Sequence, residues 1–193
     1  MKRVLLIGDS IRIGYQDLVK ELLKEDCEVF YCDDNSRFVQ YLYWQLNQMY
    51  HHHGHFDIVH FNSGYWDMNI EAPMKEALNP IPEYIDGLKK IVSYIKSQNS
   101  LPIFANTCPI YFDGSGKDNS GTNASLTYRN EWVIQYNEAS ESFMRANQIQ
   151  VNDLYTEMLK GKLYYKCPDM LHLSDEGNRV CAEMVAKIIK MNL

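Results

Sequence analysis

What this chain lacks narrows its class before any motif is read. No apolar run approaches the roughly 20 residues that a membrane-spanning helix needs. The apolar stretch at 4–7 is too short for a secretory leader and runs straight into a turn. Both absences lead to the expectation of a cytoplasmic protein with no membrane partner. Basic clusters are missing too. The 19 Lys and Arg are scattered and outnumbered by 25 Asp and Glu, a formal net charge of −6, which argues against nucleic acid as a partner. Cysteines are few and odd in number (Cys27, Cys32, Cys108, Cys167, Cys181), and none forms a Cys-x-x-Cys pair, so free thiols are expected rather than a disulfide framework. There are no internal repeats, low-complexity tracts or linkers, so residues 1–193 read as a single domain. Gly-x-Ser-x-Gly is also absent, which removes the usual nucleophile elbow of α/β-hydrolases.

What is present is an alternation of short apolar runs with helical periodicity, the pattern of a parallel sheet covered by helices. Residues 4–7 read as a buried strand, followed by a helical stripe of Tyr15, Leu18, Val19, Leu22 and Leu23. Strands follow at 27–31, 57–61, 101–105 and 149–151. Between them lie an aromatic-rich helix over 38–49 and a helix opened by Pro82, with Ile85, Leu88, Ile91, Val92 and Ile95 on one face. Trp132, Tyr136, Ala139 and Phe143 mark a further helix. Residues 113–127 break every period and read as a long loop or a small insertion. Ser174 is placed to cap the last helix, with Asp175 and Glu176 in its first turn. The sum is one doubly wound α/β domain with a five-stranded parallel sheet.

Ligands of such sheets bind at the carboxyl ends of the strands. Gly8-Asp9-Ser10 stands there, directly after the first strand, and Asp169-Met170-Leu171-His172 precedes the last helix. A nucleophile (Ser10), a base (His172) and an acid to orient it (Asp169) are the parts of acyl transfer. Other residues carry two readings each. Arg12 and Arg37 follow strand ends and either line the crevice, as substrate-binding residues, or form structural ion pairs. Tyr65, Trp66, Tyr111 and Phe112 either offer platforms for a sugar ring or close the core. His51, His52, His53 and His55 lack Cys or carboxylate partners at ligand spacing, so no metal site is expected. His60 reads as a core or edge residue, and Cys108 as an inert thiol rather than a nucleophile.

The segment 5–15, Leu-Leu-Ile-Gly-Asp-Ser-Ile-Arg-Ile-Gly-Tyr, together with Asp169-x-x-His172, resembles the first and last blocks of the SGNH (GDSL) hydrolases. The resemblance runs over essentially the whole chain. It implies a three-layer α/β/α flavodoxin-like fold and an esterase or acylhydrolase with Ser10 as nucleophile, His172 as base and Asp169 as orienting acid. Two middle blocks depart from the family. After the second strand, Ser36 stands where the family has a glycine whose backbone N–H serves the oxyanion hole. After the third, Gly64-Tyr65-Trp66-Asp67 places Trp66 at the family's Asn position, leaving Asn62 as the substitute amide. The implied oxyanion donors are therefore Ser10, Ser36 and Asn62. The expected activity is hydrolysis of a small acyl ester, acetyl first among them, on a small molecule or carbohydrate, with no cofactor and no metal. A thioesterase or lysophospholipase using the same triad, and a catalytically silent binding domain, are the alternatives.

Overall fold

The centre of the molecule is built by branched residues that have nowhere else to go. β1 (Lys2–Ile7) buries Val4, Leu5, Leu6 and Ile7 completely, as a central parallel strand covered on both faces must. The computed structural model describes residues 1–71, 73–111, 114–117, 125–166 and 171–193, the side chains of 114–117 and 125–128 aside. After β1 come α1 (Ser10–Leu22), β2 (Cys27–Tyr31), α2 (Val39–His53), β3 (Ile58–Phe61), α3 (Tyr65–Met68), β4 (Ile70–Glu71), α4 (Ile81–Ser97) and β5 (Leu101–Ala105). They are followed by β6 (Gly114–Lys117), β7 (Ser125–Tyr128), α5 (Asn130–Ala146), β8 (Gln150–Asn152), α6 (Leu154–Met158) and α7 (Asp175–Lys190).

The main sheet is parallel, in the order β2-β1-β3-β5-β8. Val4 sits between Val29 and Ile58, and Phe104 between Phe61 and Val151. The chain runs outward from β1 to β2 and then returns past β1 to β3. That reversal makes the carboxyl end of β1 the switch point of the sheet, where a crevice opens. α1 packs on α7, while α2, α4 and α5 pack in sequence with one another. Gly14 lets α1 approach α7 closely, since a Cβ there would lie 2.4 Å from Asn178 Oδ1.

One expectation, the stripe of α1, needs correction. Leu18 and Leu22, expected on the buried stripe of α1, are exposed, and the buried face is Ile11, Arg12, Tyr15, Gln16 and Val19. α5 runs through Trp132, Tyr136, Ala139 and Phe143 as the spacing predicts; Tyr136 is buried, Trp132 and Phe143 pack against the core, and Val133, Asn137, Ser140 and Met144 are buried with them. Asn137, a polar residue, is buried there for its hydrogen bonds. Its side chain accepts from Thr107 N–H (2.9 Å) and donates to Thr107 C=O (2.8 Å). Of the two readings of 113–127, the described residues fit the small insertion: β6 and β7 pair as a hairpin and join β4 in a three-stranded antiparallel sheet, with 113 and 118–124 outside the described residues.

At the opposite end, α2 continues through His53 and closes at Gly54, whose φ of 76° lies in the region that favours glycine. Arg3 reaches the freed carbonyls of His53 (2.8 Å) and His55 (2.7 Å), with its guanidinium over Phe30. Among the described residues no group of three or more His, Cys, Asp or Glu is placed to hold a metal ion, and no helix is long and apolar enough to cross a membrane.

Candidate active site

Ser10 is delivered to the switch point by a tightly held turn. Asp9 caps α1, its Oδ1 accepting from Ile11 N–H at 3.0 Å. Ser10 is therefore the first residue of the helix, where an N–H has no intrahelical acceptor and the helix dipole favours negative charge. Gly8 is required by what lies over it. A Cβ there would stand 1.8 Å from Asn62 Oδ1, so only glycine lets the Asn62 amide settle on the turn. Burial pushes the Asp9 carboxyl above its ordinary range, and the Asn62 side chain, the Ile11 N–H, the Arg12 guanidinium and His172 oppose that rise.

His172 arrives from the far end of the chain, 162 residues away, with Nε2 2.9 Å from Ser10 Oγ. Its backbone is fixed on both sides. Its carbonyl accepts from Lys166 N–H (2.7 Å), and neighbouring Leu173 bridges to Tyr165 in antiparallel fashion. Ser174 caps α7 as expected, accepting from Gly177 N–H, and its hydroxyl donates to Leu163 C=O (2.7 Å). A neutral imidazole at this distance is within reach of the serine proton. Asp169, the expected orienting acid, and Cys167 lie outside the described residues.

The remaining sequence candidates separate clearly. Asn62 is buried beside Gly8 and Asp9, and its backbone N–H continues the sheet by donating to Ile7 C=O. Ser36 cannot serve as an oxyanion donor in this geometry. It is fully buried, and its backbone N–H donates to Gly8 C=O at 3.0 Å. Arg12 is not at the surface of the crevice either. Its guanidinium is completely buried and donates to the carbonyls of Gly8 (3.0 Å), Cys32 (2.6 Å) and Asp34 (2.8 Å), and to Gln16 Oε1. It is neither a substrate residue nor half of an ion pair, but a clamp between the turns after β1 and β2. Burial lowers its pKa from the ordinary range. Arg37 is exposed, with its guanidinium 5.4 Å from the Tyr41 ring centroid. Trp66 is half-buried in α3 and packs against the core.

Tyr65 is buried, its hydroxyl donating to Cys108 C=O, whereas Tyr111 is exposed and Phe112 lies outside the described residues. Cys108 is buried, and a hydrogen bond with Cys181 together with burial pushes its thiol well above the ordinary range, which suits an inert sulfur. His60 is fully buried, and burial takes its pKa down to about 3, so its neutral Nε2 accepts from Asn152 Nδ2 at 3.2 Å.

One residue escaped the sequence reading. Asp67 is fully buried and gathers three donors: Ser63 Oγ (2.5 Å), Asn79 Nδ2 (2.8 Å) and Val39 N–H (3.1 Å). Burial pushes its pKa up to about 7 despite those hydrogen bonds. It ties the loop after β3 to the start of α2. The signal was its place three residues after Gly64, which carries no hint of a partner 28 residues upstream.

No family model matches the chain. A rice (Oryza sativa subsp. japonica) protein, the GDSL esterase/lipase WDL1, is 30% identical over 115 residues, covering 58% of this chain and 44% of that relative. The chain thus matches less than half the length of that relative. Among solved structures, the acetyl xylan esterase AlAXEase superposes with a TM-score of 0.75 at 18% identity, over 97% of this chain and 99% of that one. A GDSL-like lipase from Bacteroides thetaiotaomicron gives 0.76 at 16% identity, over 100% and 89%. The esterase EstA from Pseudoalteromonas sp. gives 0.72 at 10% identity, over 99% and 98%. The structural likenesses establish the fold, a flavodoxin-like α/β/α sandwich. In sequence, part of the chain is also similar to a GDSL esterase/lipase, the rice relative.

Proposed function

We propose that the chain is a serine esterase that removes a small acyl group, acetyl first among them, from a carbohydrate or another polar ester. The observation that carries this reading is the 2.9 Å approach of His172 Nε2 to Ser10 Oγ at the end of β1. His172 takes the Ser10 proton as Oγ attacks the ester carbonyl. The tetrahedral oxyanion forms beside the Ser10 N–H at the positive end of α1, with the Asn62 amide as second donor. Collapse breaks the ester C–O bond, and His172 passes the proton to the departing alcohol. Water, deprotonated by His172, then attacks the acyl-serine and releases the acid. Asp169, by the family's pattern, holds the imidazole in the tautomer that leaves Nε2 open. The acyl and carbohydrate choices draw support from AlAXEase, an acetyl xylan esterase of the same fold.

The test combines a p-nitrophenyl ester series from acetate to long chains with fluorophosphonate labelling. We expect labelling at Ser10, fastest turnover on acetate, and a loss of roughly 10⁴-fold or more in Ser10→Ala and His172→Ala without unfolding. No labelling of folded protein would defeat the hydrolase reading. An optimum at long chains would replace the small acyl group by a lipid.

A further inference from the structure

α2 stands apart from every other long helix of this protein. Its fifteen residues contain no Asp, Glu, Lys or Arg, whereas α1, α4, α5 and α7 each carry at least four. Up to its last turn, where His51, His52 and His53 are exposed, its outward face consists instead of aromatic rings and amides: Gln40, Tyr43, Trp44 and Asn47 are exposed, and Tyr41 is half-buried. Solvated helix faces are normally charged, so this composition calls for a cause.

The rings are also arranged. Phe38, Tyr41 and Trp44 follow one another at centroid separations of 6.3 Å and 5.5 Å, the last pair nearly parallel at 10°. Tyr41 is pinned by its hydroxyl to Asp34 Oδ2 (2.7 Å) and lies under the Arg37 guanidinium. Trp44 remains 53% exposed. The ridge starts at the crevice, because Arg12 holds the Asp34 carbonyl and Ser36 donates to Gly8 C=O, two residues from Ser10. From Phe38 to Trp44 it extends roughly 9 Å along the helix.

We infer that the Phe38–Tyr41–Trp44 ridge is an accessory binding site for a neutral polysaccharide chain whose acyl group is presented to Ser10. The inference rests on the esterase reading above and names its substrate class as polymeric. Pre-ordered rings with interleaved amides suit sugar faces and hydroxyls. The helix itself adds no Asp, Glu, Lys or Arg, and the two charges beside the ridge, Asp34 and Arg37, are engaged with Tyr41. A second protein copy fits less well. The exposed parts of Tyr43 and Trp44, at 38% and 53%, offer on the order of 200 Å² of aromatic surface, against about 800 Å² per partner in a stable interface.

The test compares Trp44→Ala with the unaltered protein on soluble acetylated xylan and on p-nitrophenyl acetate, a reference too small to reach α2. We expect kcat/KM on the polymer to fall roughly tenfold or more, the range of a truncated aromatic anchor, with the small ester and Tm unmoved. Binding of xylohexaose to Ser10→Ala protein, with and without Trp44→Ala, provides a readout independent of catalysis. Ridge-dependent binding without any hydrolysis would sink the esterase reading alone. Hydrolysis of both substrates with Trp44 irrelevant to either readout would sink the ridge alone. A dimer that Trp44→Ala dissociates, with polymer turnover unchanged, would reassign the ridge to a second copy of the chain.

Discussion

The carboxylate of Asp67 caps a helix that begins 28 residues earlier, accepting the Val39 N–H at 3.1 Å. The residue at the N-cap itself, Phe38, has no side-chain group to do so. A buried acid from the loop after β3 thus completes α2 and fixes the turn that carries Ser36 and Arg37. The loops on both sides of Ser10 therefore share one carboxyl group.

That arrangement makes stability depend on pH in a way single substitutions should uncover. Asp67 titrates near 7 when folded and near 3.8 ordinarily, so the folded state holds the extra proton between those values. Its contribution is complete below pH 4 and lost as pH rises to about 7, with a ceiling of about 4 kcal/mol. His60 has the opposite sign. Its folded pKa of about 3 lies below the ordinary 6.5, so its contribution is complete above 6.5 and lost as pH falls. Between pH 4 and 6.5 the two slopes oppose each other. Asp67→Asn keeps an acceptor for Val39 and Asn79 and can donate to Ser63 Oγ. It should remain folded, become more acid-sensitive than the unaltered protein, and gain on it as pH rises from 5 to 8. Urea unfolding at several pH values checks this, and parallel curves would count against it.

Arg12→Met should cost about 3 kcal/mol or more, because the carbonyls of Gly8, Cys32 and Asp34 lose a donor inside the protein. Arg12→Lys should recover only part, since an ammonium cannot span the same fork. A substrate-binding arginine would instead raise KM and leave the urea midpoint unchanged. Unfolding curves and KM measured on the same variants separate the two roles.

Gly8 and Asn62 should behave as a coupled pair. Gly8→Ala places a methyl 1.8 Å from Asn62 Oδ1 and must drive the amide away. Turnover of p-nitrophenyl acetate should fall by roughly 10²–10³-fold, the worth of one oxyanion donor. Asn62→Ala should fall equally, and the double variant should be no slower than either single one. Additive losses would show that Asn62 and Gly8 act separately.

The elements that hydrophobic patterning controls were legible in the sequence. The strands at 27–31 and 101–105 begin and end where the pattern puts them, and Ser174 caps α7 as its position implies. The stripe on α1 was misread, because Leu18 and Leu22 fit the helical period yet lie exposed while Arg12 and Gln16 lie inside. Periodicity registers which residues are apolar, and Arg12 is buried for its hydrogen bonds. The hairpin of β6 and β7 was illegible for a related reason: Gly114-Ser-Gly-Lys117 has no alternation, and backbone pairing alone makes it a strand.

The sequence by itself determined the order of the five parallel strands and the long helices between them, and it marked Gly8-Asp9-Ser10 and His172 as candidates, because these depend on local residue types. Only the tertiary structure decided which backbone and side-chain groups remain free for chemistry. Ser36 and Arg12 had the right composition and position to serve a substrate, but Gly8 C=O takes a hydrogen bond from each of them. A buried donor bonds whichever acceptor the fold places beside it, and that neighbour is set by contacts between segments far apart in the chain.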